Sequence, residues 1–481
     1  MEYTSNMLKH STVILRGDAE MIEKPKIIAV IAVLIIAIAG IGVAWVVLDN
    51  NAQNKTTINA QLGVYGNANG DATIDQSDLG IIRDIINGTK SFDDYPLADA
   101  NRDGVVDEKD YQMTEQIINA DSAHRVRVNI IDRLDGGTYV DSVMYPITSA
   151  VSTGAANTIL LFKYLGIVNE IKGFSWYEAP DRYLFPEYQP LITSDQRLGS
   201  SSTIMDLEKV SELVDKDGVS AIITADNRTY VTNASQFEAM GVDVVRVAPA
   251  AVDSTDYMST VLMIAFLFDT DGKGYMEKCS ELISWYEDFF TDLNSKLQNV
   301  STKVSAVTSS SNNAISSNTS DYTNVLLAAG AVFPLTGVDW SGSASKTYDY
   351  TQGDSWLNAY NVDYVIPIRT SVVSSSASAP AAFSWYGGTA ITAGSPTLKL
   401  YMSYFQTLEC YQKGNVYVVC GDMPVVLRIA YVAQILYPGA VGENFAYNYN
   451  VDFVEKFFGW SESDIAGKPF CVSMSDVGLT P

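Results

Sequence analysis

Ile27 to Leu48 is an unbroken run of 22 uncharged, mostly aliphatic residues. It constrains the chain more than any other feature, because a helix of that composition has a bilayer as its natural solvent. At 1.5 Å per residue it spans about 33 Å, enough for a hydrocarbon core of roughly 30 Å. Arg16, Lys24 and Lys26 precede it and Asp49 follows, so the positive-inside rule predicts a cytoplasmic N-terminus and an extracellular remainder. A cleaved signal peptide is the rival, but its apolar region usually runs about 7–15 residues, and no A-x-A site follows here. Trp45, near the outer end, fits the interfacial aromatic belt. The expected layout begins with a cytoplasmic tail (1–26), a single-pass anchor in the cell membrane (27–48) and a linker (49–62). Six Asn-x-Ser/Thr sequons, at Asn54, Asn87, Asn227, Asn233, Asn299 and Asn318, permit glycosylation outside.

Charge narrows the partners. The 481 residues carry 31 Lys+Arg against 56 Asp+Glu, a formal net of −25, which argues against nucleic acid, whose phosphates need clustered cations. His10 and His124 are the only histidines, so imidazole-based metal sites and Ser-His-Asp or Cys-His catalysis have little to work with. Cys279, Cys410, Cys420 and Cys471 show no CxxC spacing; they read as packing residues or one distant bridge.

The clearest chemistry is an internal repeat. Asn67, Asn69, Asp71, Thr73, Asp75 and Asp78 recur, at a constant offset of 32 residues, as Asp99, Asn101, Asp103, Val105, Asp107 and Asp110. These are positions 1, 3, 5, 7, 9 and 12 of a twelve-residue loop, position 7 giving a backbone carbonyl, and such a loop supplies the oxygens a Ca2+ ion wants. The register continues into amphipathic helices: Ile85-Ile86-Asn87 matches Ile117-Ile118-Asn119. Asx-rich turns are the plain alternative, which two in-register copies make improbable. Paired loop–helix units with Asp at position 12 resemble the dockerin family over 63–122. That resemblance implies a small all-α module folded around two Ca2+ ions and docking on a cohesin-bearing protein. Ala72 stands where Gly usually turns the first loop, so strain is expected there.

From Val126 the texture becomes α/β. Val126, Val128 and Ile130 alternate as a strand, Asp135-Gly-Gly turns, and Thr138 to Met144 returns. Ser220–Thr224 and Val242–Val247 read as buried parallel strands with a helix at Gln236–Met240 between them. A helix over Tyr275–Leu297 carries the stripe Cys279, Ile283, Tyr286, Phe290 and Leu293. Asp269-Thr-Asp-Gly reads as a turn, since Lys273 occupies what would be a ligand position. Ser301–Thr323 reads as low complexity with a surface loop. Val362–Ile368 and Asn415–Val419 read as strands, and Pro424–Leu436 as a helix.

Ser152-Thr-Gly followed by Leu160 to Gly166, Leu198-Gly-Ser-Ser, Gly218-Val-Ser-Ala-Ile-Ile, Ala239-Met-Gly-Val-Asp-Val-Val and Gly414-Asn-Val-Tyr-Val-Val resemble, in order and spacing, the substrate-binding proteins of iron-chelate and cobalamin ABC importers. The resemblance implies two Rossmann-like lobes, 126–254 and 301–481, joined by connecting helices (255–300), with one long helix bridging them. It implies a ligand held in the crevice and delivery to an ABC permease. Candidate ligand contacts are Ser152, Thr153, Trp176, Tyr177, Arg369, Trp385 and Tyr386, aromatic faces and a cation suiting a metal chelate, corrinoid or haem-like solute. The plain alternatives are helix N-caps for Ser152 and Thr153, and core packing for the aromatics. The family's first long helix opens with a Glu that meets permease Arg; Ser152 to Asn169 holds no acid, so another surface is expected to dock. Glycosidase chemistry needs a poised carboxylate pair, and the lobed region resembles no such domain, so no catalytic residue is nominated. The second function weighed is surface assembly or adhesion through the dockerin-like module.

Overall fold

The computed structural model describes residues 55–135, 137–153, 156–175, 181, 183–192, 197–199, 203–311, 313–348, 356–371, 384–387 and 396–481. The described residues all fall in one compact unit, within Val47–Pro481. The apolar run Ile27–Leu48 lies outside the described residues, among which no helix is long and apolar enough to cross a membrane.

Two helices, Gln76–Ile86 and Glu108–Ile118, follow the two Asx-rich loops. Both open on a capping box, Asp75 with Asp78 and Asp107 with Asp110, which satisfies orphan N–H groups of the first turn. Ala68, Ile82 and Ala98 form their small core. The pair is fastened to the rest of the unit: Tyr65 N–H donates to Asn129 O at 2.9 Å, Ile131 N–H to Gly63 O at 2.7 Å, and Asn129 Nδ2 to Ala100 O at 2.8 Å. The preceding residues lie along two later helices, Ile58 N–H donating to Glu287 Oε1 and Gln61 N–H to Ser259 Oγ.

β1 (Val126–Leu134) and β2 (Gly137–Tyr145) form an antiparallel hairpin running from Val126↔Tyr145 to Leu134↔Gly137. β3 (Ala150–Thr153), β4 (Ile171–Ser175), β5 (Ala221–Ala225) and β6 (Asp243–Val247) then build a parallel sheet in the order β4-β3-β5-β6. Every residue of β3 and β5 is buried, as expected of strands covered on both faces. Alternation sends Ala221 and Ile223 to one apolar layer and Ile222 to the other. Helices Ala156–Leu165 and Ser254–Phe268 cover the first face. Val210 and Phe237, from helices Leu207–Asp217 and Ala234–Glu238, cover the second.

The helix Tyr275–Leu297 has the bounds expected from its periodicity. The Asp269 carboxylate accepts N–H bonds from Gly274, Tyr275 and Met276 at 3.1–3.2 Å, so it caps this helix. Its buried stripe runs through Cys279, Leu282, Tyr286, Phe289 and Leu293, while Ile283 and Phe290 lie half-buried at the edge. The stripe turns that way because Trp285 and Phe289 meet Tyr449 and Phe453 of the helix Phe445–Phe457.

The second half holds smaller sheets. β7 (Ala306–Val307), β8 (Ser309–Ser311), β9 (Ala314–Ser316) and β10 (Ser345–Thr347) come first, so Ser301–Thr323 holds three short paired strands between its turns. The run Val362–Ile368 is not one strand. It splits at Pro367, which has no N–H to give a ladder, into β11 (Tyr364–Val365), parallel to β7, and β12 (Ile368–Arg369), parallel to β13 (Tyr417–Cys420). β14 (Cys471–Ser473) closes that sheet, and Pro424 leads into the helix Val425–Leu436. All four cysteines are free thiols.

Candidate functional site

The carboxyl ends of β12 and β13 meet Asp181, which lies in the chain after β4, in one buried cluster that joins the two halves. In open α/β folds such strand ends are where ligands gather. Asp181 comes from the segment after β4, Ser371 follows β12 by two residues, and Asp422 follows β13 by two. Ser371 Oγ lies 2.7 Å from Asp181 Oδ2 and 2.5 Å from Asp422 Oδ2, and Ser371 N–H donates to Asp422 Oδ2 at 2.7 Å. Ser384 Oγ donates to Asp181 Oδ2 at 2.6 Å, and Tyr183 N–H donates to Asp181 Oδ1 at 2.9 Å.

Gly421 makes this approach possible. Its N–H donates to Arg369 O at 2.7 Å, and a Cβ there would lie 2.8 Å from Arg369 C and 2.9 Å from Thr370 N. Only glycine lets β13 run so close to the chain leaving β12. Burial, reinforced by the Asp181 charge, pushes the Asp422 carboxyl up to about 7. The Tyr386 hydroxyl is buried beside these groups without a hydrogen-bond partner.

Two further contacts cross between the halves. Arg428 Nη2 donates to Asn157 Oδ1 at 2.9 Å. Lys163 pairs with Glu187 at 2.7 Å and lies 4.7 Å from the ring centres of Phe458 and Trp460. Burial lowers the Lys163 pKa.

Of the candidate contacts read from the sequence, Trp385 and Tyr386 join this cluster through their backbone N–H groups, to Ser371 Oγ and Asp181 Oδ2. Ser152 and Thr153 lie on β3 itself, and their hydroxyls donate to Ile223 O and Ser175 O on the flanking strands. Trp176 and Tyr177 lie outside the described residues. Trp385 and Tyr386 are buried at 0% and 1% exposure. Trp385 Nε1 donates to Arg369 O at 2.7 Å, and the Arg369 guanidinium sits 4.0 Å over the Tyr401 ring. Sequence reading missed Asp181, Ser371, Ser384 and Asp422. The available signal was an Asp just past a buried strand, as in Val-Val-Cys-Gly-Asp422.

In the Asx-rich loops the side chains turn onto loop amides. Asp78 accepts from Asn69 N–H and Asp75 N–H, and Asp110 from Asn101 N–H and Asp107 N–H. Burial raises the pKa of both Asp78 and Asp110. Asp99 accepts from Asp103 N–H and from Gly104 N–H, Gly104 taking φ +90. Ala72, its counterpart, stays out of the left-handed region, so the expected strain is absent. Asn67 instead donates to Leu62 O and Asp71 O, leaving its own buried Oδ1 without a partner. Among the described residues no group of three or more His, Cys, Asp or Glu converges in a metal-holding arrangement; the loops offer Asn and backbone oxygens beside their acids.

No family model and no curated protein matches the chain. Solved structures do. The molybdate periplasmic binding protein MolA of a Haemophilus influenzae ABC transporter overlays with a TM-score of 0.51 at 13% identity, covering 69% of this chain and 98% of MolA. Helicobacter pylori Ceue with Ni(II) bound gives 0.46 at 14% identity, covering 70% and 98%. A periplasmic heme binding protein from Pseudomonas aeruginosa gives 0.43 at 13% identity, covering 61% and 94%. The MolA overlay carries the conclusion: the chain shares the mixed α/β fold of the periplasmic solute-binding proteins of ABC transporters.

Proposed function

We propose that this chain is a membrane-anchored extracellular receptor that captures a metal chelate, corrinoid or haem-like solute for an ABC permease. In this reading the halves before and after the helix Tyr275–Leu297 are two lobes, and the solute is gripped where they meet. The observation that carries it is the junction of Asp181 with Ser371 and Asp422, a side chain of one half held by the strand ends of the other. Two buried carboxyls disfavour a bare oxyanion such as the molybdate of MolA. They suit a solute that presents cationic or donor groups.

The Asx-rich loops are read as two Ca2+ sites of a dockerin-like module with a cohesin partner, ligands drawn from Asn67, Asn69, Asp71, Asp75 and Asp78 and from Asp99, Asn101, Asp103, Asp107 and Asp110, with the Thr73 and Val105 carbonyls. The unpartnered Asn67 Oδ1 supports this. The ion would supply positive charge to side chains otherwise turned on amides. The Ile27–Leu48 run is read as the anchor. Native mass spectrometry of the chain purified from its own cells tests the receptor reading. A retained metal-bearing small molecule, whose addition quenches tryptophan fluorescence in stripped protein, is expected; no retained solute and no response to haem, corrinoid or ferric chelates would sink it.

A further inference from the structure

Hydrogen counting at the Asp181–Ser371–Asp422 junction calls for one proton beyond the serine's own. Ser371 Oγ is within hydrogen-bond distance of a carboxylate oxygen on each side, at 2.7 and 2.5 Å, and it also accepts Trp385 N–H at 3.3 Å. A hydroxyl has one proton to give. Donated to one carboxylate, it leaves the other contact bonded only if that second carboxyl carries a proton of its own.

Donor placement says which. Asp181 collects the Ser384 hydroxyl and the Tyr183 and Tyr386 N–H groups, whereas Asp422 receives the Ser371 N–H. Asp422 is therefore the protonated partner and Ser371 relays its hydrogen bond to Asp181. We propose that Asp181, Ser371 and Asp422 form a proton-loaded latch, in which one proton shared between the halves holds them closed and its release parts them. Asp181, Asp422 and Ser371 are all at most 9% exposed, so water cannot replace the lost bond while the junction stays shut.

Among the described residues, the other groups facing the junction do not supply the missing positive charge. Arg428, in the helix that follows Asp422, favours the ionised form of Asp422, but its Nε is bonded to Met423 O and its Nη2 to Asn157. Cys420 on β13 and Tyr386 on the opposite segment are both held neutral by burial. Lys468 donates to the Tyr386 carbonyl rather than to either acid. With Asp422 pushed up to about 7, the proton leaves around neutrality.

The inference rests on the two-lobed reading, and the test keeps the two apart. Spin labels at exposed Glu212→Cys and Glu455→Cys, one on each half, report the separation in the full chain held in detergent micelles. A narrow, short distance at pH 5.5 that becomes longer and broader at pH 8.5 is expected. Asp422→Asn, which carries its own N–H, should keep the short distance at both pH values; if it misfolds, Asp181→Asn serves, since either change removes the repulsion. A wild-type distance unmoved by pH, or an Asn variant that opens like the wild type, overturns the latch. So does closure restored at pH 8.5 by a divalent cation, which would assign the charge to a metal ion. A solute found by native mass spectrometry with no pH response would fail the latch alone, and a pH response with no solute would fail the receptor reading alone.

Discussion

Gly421 is the residue on which the junction geometry turns. With a Cβ under 3 Å from the backbone of Arg369 and Thr370, an alanine must push β13 away from the segment after β12. Gly421→Ala is expected to cost about 1–3 kcal/mol, the range for overpacking a closed core, and to lengthen the Ser371–Asp422 contact. Urea unfolding read by circular dichroism measures the first; an unchanged midpoint would show that the strands are not so close. Little of this was legible in the sequence. Asp181 and Asp422 are two among 56 acids, and nothing in their spacing marks them, because they meet only after two sheets have formed. Trp385 and Tyr386 were visible as aromatics after a strand, but position alone cannot tell a wall from a core.

Elements were far more legible than contacts. The hairpin β1–β2 and the helix Tyr275–Leu297 could be read because their apolar residues repeat at 2 or 3.6 positions, and β5 and β6 because each is a short continuous apolar run. Where that logic failed, a local backbone rule had won. Pro367 divides one apolar run between two sheets, and the Ser-rich stretch after Ser301 forms short strands around its few apolar residues, Ala306, Val307 and Ile315, which are buried in the core. The long helix also depends on a cap that composition did not single out. Asp269→Ala leaves three N–H groups without their acceptor and should cost about 1–2 kcal/mol, seen as a lowered unfolding midpoint. Asp269→Asn keeps one accepting oxygen, enough for two of the three N–H groups, so partial rescue by it separates capping from charge. In the loop–helix pair, the calcium reading predicts that a chelator raises amide hydrogen exchange across 63–122 while the sheet β4-β3-β5-β6 stays protected. Equal exchange with and without chelator would remove the ion from the loops.

At the scale of the molecule, buried acids set how stability follows pH. Asp132 on β1 accepts Arg246 N–H from β6 at 2.7 Å and so ties the hairpin to the parallel sheet. Burial pushes it up to about 7 despite that bond, and Asp422 is pushed to the same level. An unfolded Asp titrates near 3.9. Between that value and about 7 the folded chain binds protons that the unfolded chain has released, so stability falls as pH rises through this window. The stabilisation is fully present below about 4 and gone above about 7. A net charge of −25 adds self-repulsion that also eases on acidification, so the wild-type slope alone cannot assign the cause. The variants can. Asp132→Asn removes one titrating group but leaves the rest of the surface charge in place, and should flatten the slope between pH 5 and 7 while raising stability at pH 8. Asp422→Asn should do the same independently, since no contact among the described residues joins the two sites, and the double variant should add the two effects. Urea midpoints at pH 5, 6, 7 and 8 make the measurement. Parallel slopes for wild type and both variants would mean that these carboxyls titrate as exposed groups do, and that neither the hairpin tie nor the junction between the halves is shielded from water.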